Sequence, residues 1–164
     1  MKFSLRNGGA IVLCMSAATN AAAAGDPSAT ASKFVDALQH QHLKEAAAMF
    51  TTGTAQDSLA TEHALKKIDE SLGGFSTMRP IPTLPDGKSI KFEIPAHKTI
   101  VPNTQKFRQV RYASIASDGQ PVFYELNLTA DDVQSQVLSF GVHFPASDAH
   151  STARANHLVS LINH

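Results

Sequence analysis

Residues 106–144 constrain this chain more than any other stretch. They read KFRQVRYASIASDGQPVFYELNLTADDVQSQVLSFGVHF. Val122, Tyr124, Leu126 and Leu128 alternate with Phe123, Glu125 and Asn127, and Leu138, Phe140, Val142 and Phe144 repeat the pattern. A period of two is the mark of a half-buried strand, so the stretch predicts a three-stranded antiparallel meander with one apolar face. Asp118-Gly119 suits a two-residue type I′ loop, and Pro121 follows where a missing N–H is tolerated. With that loop, Arg111 faces Leu126, Ala113 faces Tyr124 and Tyr112 faces Glu125. Arg111 and Gln109 then fall on the apolar face, where a guanidinium needs a partner. A one-residue change in loop length would instead turn Arg111 outward.

The chain before the meander is helical. Ala31, Phe34, Leu38, His42, Ala46 and Met49 form one stripe, predicting a helix from about Ala29 to Phe50, capped by Ser28 or Thr30. A second helix is predicted from about Asp57 to Leu72, with Leu59, Leu65, Ile68 and Leu72 facing in and Gly73-Gly74 ending it. MRPIPTLPDG follows as an extended or turning segment, because its prolines forbid a helix. Lys88–Pro95 alternates as a strand, and residues 96–105 form a connection. After Pro145, STARANHLVSLINH reads as a short helix with Ala155, Leu158, Val159 and Ile162 on its apolar side. Helices followed by a run of strands give an α+β fold: N-terminal helices packed on a curved antiparallel sheet, with a short C-terminal helix.

Residues 1–24 read as a secretory signal peptide: a basic start at Lys2 and Arg6, a short apolar run from Gly8 to Ala18, and small residues for cleavage at Ala22–Ala24. Residues 25–30 are a flexible lead-in and residues 31–164 a single domain. Cys14 lies within the leader, without the small residues before it that a lipid attachment site requires. The remaining chain has no cysteine, so a disulfide, a thiol nucleophile or a thiolate metal site is excluded there. The expected location is periplasmic or secreted. Removing Lys2 and Arg6 from 14 basic residues leaves 12 against 14 acidic ones, which argues against a nucleic-acid partner. No apolar segment after the leader is long enough to span a membrane.

The order of elements resembles the NTF2-like (cystatin-like α+β) superfamily. The resemblance is carried by KFVDALQHQHLKEAAAMF, by the helix ending LGGF, and by RQVRYASIA, VFYELNL and VLSFGVHF, and covers about residues 28–145. It implies a cone-shaped domain whose sheet wraps a helical layer. A smaller cystatin-like helix-plus-meander arrangement remains an alternative, because only one clear strand precedes residue 100. The superfamily includes isomerases, dehydratases, ligand-binding subunits and scaffolds, so the fold leaves the function open.

Three groups of residues are candidates for chemistry. Arg111, Tyr124 and Gln109 would face the helices and could hold a carboxylate or carbonyl, since a guanidinium matches a carboxylate at two points. The alternative for Arg111 is an internal salt bridge to Asp69 or Glu70, or simple exposure. His42 on the first helix is a general base or ligand donor, or a satisfied core histidine. Tyr112, Glu125 and His143 share the other sheet face, as an acid–base group or as ordinary cross-strand pairs. No metal-ligand spacing, serine-hydrolase elbow or phosphate loop is present, so no catalytic residue, cofactor or metal is assigned. The expected function is a non-catalytic domain binding a small ligand or partner protein in a sheet-lined pocket. The alternatives are an isomerase- or dehydratase-type enzyme, and a homodimer using the outer sheet face through Phe123 and Val137.

Overall fold

The computed structural model describes residues 27–51, 55–85, 89–94, 107–130, 135–146 and 149–162. The expected signal peptide with Cys14, the whole connection 96–105, and Asp131-Asp132 lie outside the described residues.

The chain forms an α+β fold. Three helices, α1 (Pro27–Gln39), α2 (Leu43–Ala48) and α3 (Ala55–Leu72), precede strands β1 (Arg79–Ile81), β2 (Ser89–Ile94), β3 (Phe107–Ile115), β4 (Pro121–Thr129) and β5 (Val137–Pro145), and helix α4 (Ala149–Ile162) closes the order. The strands make one antiparallel sheet in the order β1-β3-β4-β5-β2. The meander is its centre. The proline-rich segment supplies an edge strand that the sequence did not announce, with Pro80 at the edge, where a lost N–H costs no ladder bond.

The single helix expected over Ala29–Phe50 is two helices. Gln41 takes the left-handed conformation at φ 63°. The His42 N–H reaches back to the Ala37 carbonyl at 2.8 Å and the Gln41 N–H to Leu38 at 3.2 Å, the paired bonds of a Schellman stop. His42 therefore leaves the apolar stripe and starts α2 as an exposed residue. The helix also begins earlier than expected. Pro27 occupies the first position, where it gives up no bond, and Thr30 donates to the Ser135 carbonyl rather than capping the helix.

The β3–β4 loop has three residues, Ser117–Gly119, and not two. Gly119 alone of these takes a left-handed φ, 81°. Its N–H bonds the Ala116 carbonyl at 2.9 Å, while the Ala116 N–H bonds Gln120 at 2.9 Å. This is a type I turn closed by a left-handed glycine. The register moves by one residue, so Arg111 pairs with Glu125, Gln109 with Asn127 and Tyr112 with Tyr124. Side chains alternate, so the shift sends Arg111 and Gln109 to the outer face and brings Val110, Tyr112 and Ser114 inward beside Val122, Tyr124 and Leu126. Keeping the guanidinium out of the core avoids a desolvation cost that the other register would incur.

The inner face is closed by aromatic packing. Tyr124 stacks on Phe140 with ring centres 5.6 Å apart and planes 7° apart. Phe34 meets Phe140 edge-on at 5.4 Å, and Phe75 meets both Tyr124 and Phe140 at 6.2 Å. Such pairs contribute about 1 kcal/mol each beyond the area they bury. Leu65, Ile68 and Leu72 of α3 are buried as expected, whereas Leu59 is exposed. Ala155 and Leu158 of α4 are buried as expected, while Val159 is exposed. A short parallel bridge ties the end of α2 to β5: Val137 N–H to Met49 at 2.8 Å and Thr51 N–H to Val137 at 2.9 Å. Val137 is thus a core residue and not an outer-face contact. Among the described residues, no helix is long and apolar enough to cross a membrane.

The two halves meet at Gly73. Its φ is 77°, and a Cβ there would lie 2.4 Å from the Ser117 Cβ of the β3–β4 loop. At Gly119 φ is 81° but a Cβ would meet nothing within 4 Å. Gly119→Ala should therefore cost only the left-handed penalty, about 1–2 kcal/mol, and Gly73→Ala clearly more, because backbone must move as well. Urea unfolding of the two variants measures the difference; equal losses would mean that the Gly73–Ser117 contact is not tight.

Candidate functional site

The space between helices and sheet, where a ligand pocket was expected, is filled by Phe34, Phe75, Tyr124 and Phe140. Tyr124 is fully buried and its hydroxyl pairs with Ser114 at 2.8 Å. Burial pushes its phenol up to about 12, against a smaller opposing pull from the Ser114 bond. It is a core tyrosine with a satisfied hydroxyl.

The expected grouping of Arg111, Gln109 and Tyr124 is split by the register. Arg111 and Gln109 lie on the outer face, where Arg111 donates to the Gln109 side chain, Gln109 donates to Asn127 at 3.0 Å, and Asn127 donates to Ser139 at 2.9 Å. Neither Asp69 nor Glu70 serves as the Arg111 partner: they belong to the helical layer, on the other side of the sheet. The second grouping divides too. Tyr112 turns inward and is buried, and burial raises its phenol. Glu125 and His143 remain together outside, with Glu125 Oε2 3.9 Å from His143 Nε2.

Open space lies instead on the helices. A groove of about 840 Å³ runs between α2 and α3, with Leu43 and Ala48 as apolar lining and Gln41 and Asp69 at one end. Its charged rim holds Lys44 and Lys66 against Glu45, Glu62, Asp69 and Glu70. A second groove of about 540 Å³ shares Glu62 and Lys66 with it and extends past Leu59, Ala60 and His63 to Gln56. Together they follow the outer side of α3 for most of its length. His42 lines the first groove, with Nδ1 3.8 Å from Glu45 Oε2.

Along the sequence Asp69 stood only as an alternative partner for Arg111, and nothing marked Gln41. Asp69 sits in the last turn of α3, and its backbone carbonyl accepts the Gly74 N–H at 2.9 Å. Its buried carboxylate accepts a bond from Gln41 Nε2 at 3.0 Å and another from the Phe75 N–H. Burial raises its pKa above the ordinary carboxylate value and the Glu70 charge adds to this, outweighing the two hydrogen bonds. A left-handed non-glycine residue holding a buried carboxyl at the end of a groove is the type of local strain that collects at functional sites. The only sequence signal for it was the pair of glycines that forces the chain to turn back beside Asp69.

No family model matches this chain, no curated protein matches it, and no solved structure matches it.

The raised pKa of Asp69 has a definite sign for stability. A charged Asp69 is disfavoured in the fold, so its contribution is fully present below the unfolded carboxylate pKa and is lost as pH rises through the folded one. Asparagine keeps an oxygen acceptor for Gln41 and Phe75 without the charge. Asp69→Asn should therefore stabilise the protein at neutral pH, with the gain fading as pH falls below the carboxylate range. Urea midpoints across pH check this. A variant less stable than the parent at pH 7 would show that the charge strengthens the two bonds more than burial penalises it.

Proposed function

We propose that this chain is a non-catalytic secreted or periplasmic binding domain, NTF2-like in architecture, that docks a positively charged segment of a partner protein along the α2–α3 groove. The observation that carries the reading is the groove's charge: Glu45, Glu62 and Glu70, with the buried Asp69 at one end, against two lysines, over an apolar lining. Leu59, at 65 % exposure, adds an apolar anchor at the far end. A long open groove suits an extended or helical segment better than an enclosed small molecule. The leader-like residues 1–24 support export, and the element order supports the architecture.

An isomerase- or dehydratase-type reading needs a free acid or base in an enclosed apolar cavity. The carboxyl that burial raises, Asp69, is occupied by Gln41 and Phe75 at the end of an open groove. The outer face, which a ligand-free homodimer would use, carries Lys91, Glu93, Arg111 and Glu125, a charge density unlike that of a permanent interface.

Titration of the purified protein with a lysine-rich peptide, followed by amide chemical shifts, tests the proposal. Shifts are expected over residues 41–48 and 56–70, weakening as salt rises. Glu62→Lys combined with Glu70→Lys should weaken binding by about tenfold or more, since each exposed pair is worth about 0.5–1 kcal/mol and reversal adds repulsion. Binding that survives the double reversal, or shifts confined to the sheet, would overturn the reading. Saturation by a simple polyamine with equal strength would replace the protein partner by a small cation.

A further inference from the structure

The outer sheet face contains a second constellation that the groove does not use. The antiparallel register of β2, β5 and β4 sets Glu93, Gly141 and Glu125 in one row and Lys91 beside His143 in the next. Gly141 leaves a gap in this face. A Cβ there would lie 2.9 Å from Lys91 Cε and 3.5 Å from His143 Nε2, so the Lys91 chain lies across the space that a side chain would fill. Its ammonium sits 3.1 Å from Glu125 Oε1 and 3.1 Å from Glu93 Oε2. That point is a cation position, held by a tethered cation.

His143 lies beneath it. Its side chain is only 7 % exposed, and Nε2 is buried with no hydrogen-bond partner. The other ring nitrogen, Nδ1, is 3.1 Å from Ser89 Oγ. When Nδ1–H donates to Ser89, Nε2 presents a lone pair to Glu125 Oε2 across 3.9 Å. A lone pair facing a carboxylate at that separation is closed by a cation between them. An imidazole fixed through its far nitrogen is also how proteins orient a metal-binding histidine. Among the described residues, no three such side chains converge on one point as they stand, and Lys91 is the group that occupies the space between them.

We propose that this face is a site for a zinc-type divalent transition metal, with His143 Nε2, Glu125 and Glu93 as its protein ligands and Lys91 as the tethered competitor that the ion displaces. One imidazole and two carboxylates suit zinc or copper(II) better than calcium, which takes oxygen ligands alone. Lys91 is half-exposed at an edge strand and can swing into solvent, whereas Glu125 and His143 are held in the middle of the sheet. The site stands on the far side of the sheet from the groove and is independent of it.

Zinc chloride titrated into tag-free protein by calorimetry is the test. One saturable site is expected. His143→Ala should abolish it, and Ser89→Ala should weaken it by roughly tenfold through loss of ring orientation. Lys91→Met should tighten it severalfold, which a merely structural lysine would not do. Glu125→Gln guards against misfolding of the histidine variant: with unchanged circular dichroism it should still lose affinity. Cobalt(II), substituted for zinc, should give a visible band that disappears in His143→Ala. Absence of saturable binding in the parent and in Lys91→Met overturns the proposal, as does binding indifferent to His143→Ala and Glu125→Gln. Loss from His42→Ala instead would assign the metal to the helical surface and overturn it equally.

Discussion

The close approach of Gly73 to Ser117 is the constraint on which the rest of the structure depends. The last helical carbonyl, Leu72, accepts the Ser117 N–H at 2.9 Å, so the end of α3 is bonded directly to the β3–β4 turn. Only a residue without a Cβ allows that distance, and only a left-handed residue turns the chain back at once toward Phe75. Phe75 then enters the core against Tyr124 and Phe140. One turn of backbone thus sets the height of the helices over the sheet and closes the aromatic packing beneath them. The far side of the same loop is fastened to α4, where Arg154 donates to the Asp118 carboxylate. Burial alone would raise the Asp118 pKa, but the bonds from Arg154 and the Gln120 N–H hold it below the ordinary range.

The groove follows from this junction. Because α3 must stop at Gly73, Asp69 is left in its final turn, facing the reversal between α1 and α2. Gln41 spans the gap. Its left-handed backbone costs about 1–2 kcal/mol, and the hydrogen bond to a buried carboxylate returns a similar amount. The helical layer is consequently held at two ends, by the Gln41–Asp69 bond and by the bridge from Phe50 to Val137, with an open cleft between. Charge collects along that cleft because α2 and α3 bury their apolar residues in the core and leave Lys44, Glu45, Lys66 and Glu70 to solvent.

Period-two alternation in Val122–Leu128 and Phe140–Phe144, and the apolar stripe of Leu65, Ile68 and Leu72, were legible because burial on one face imposes a period on the order of apolar residues. The α+β class and the helix stop at Gly73-Gly74 followed from them. What was not legible depended on single backbone angles. Asp-Gly is compatible with both a two-residue loop and a three-residue loop closed by glycine, and the choice inverts the facing of every residue in β3. A left-handed glutamine has no compositional mark, so an unbroken helix was expected through His40-Gln41-His42, and His42 was placed on the wrong side. Edge strand β1 was hidden because three residues containing a proline carry no alternation to detect.

That one-residue shift also organises the outer face. Moving Arg111 outward places it opposite Glu125, and the β4–β5 register sets Phe123 against His143 and Glu125 against Gly141. The bulge at Leu138 is what allows this: Leu128 pairs with Val137 and Asn127 with Ser139, so one residue of β5 is skipped and Phe140, Val142 and Phe144 return to the core side. Without the bulge, either Val137 or the Phe140–Phe144 series would face outward. Polar residues gathered on the outer face are therefore a consequence of keeping the four inward residues of β4 and their partners on β5 inside. The unpartnered Nε2 of His143 is different, since packing alone did not require it: a serine, threonine or valine would fill that position with no orphaned nitrogen. The groove on the helices and the cluster on the sheet are separated by a filled core. Substitutions in one should then leave the other unchanged and add in their effects on stability, and a change that removes both can do so only by loosening the packing around Phe75, Tyr124 and Phe140.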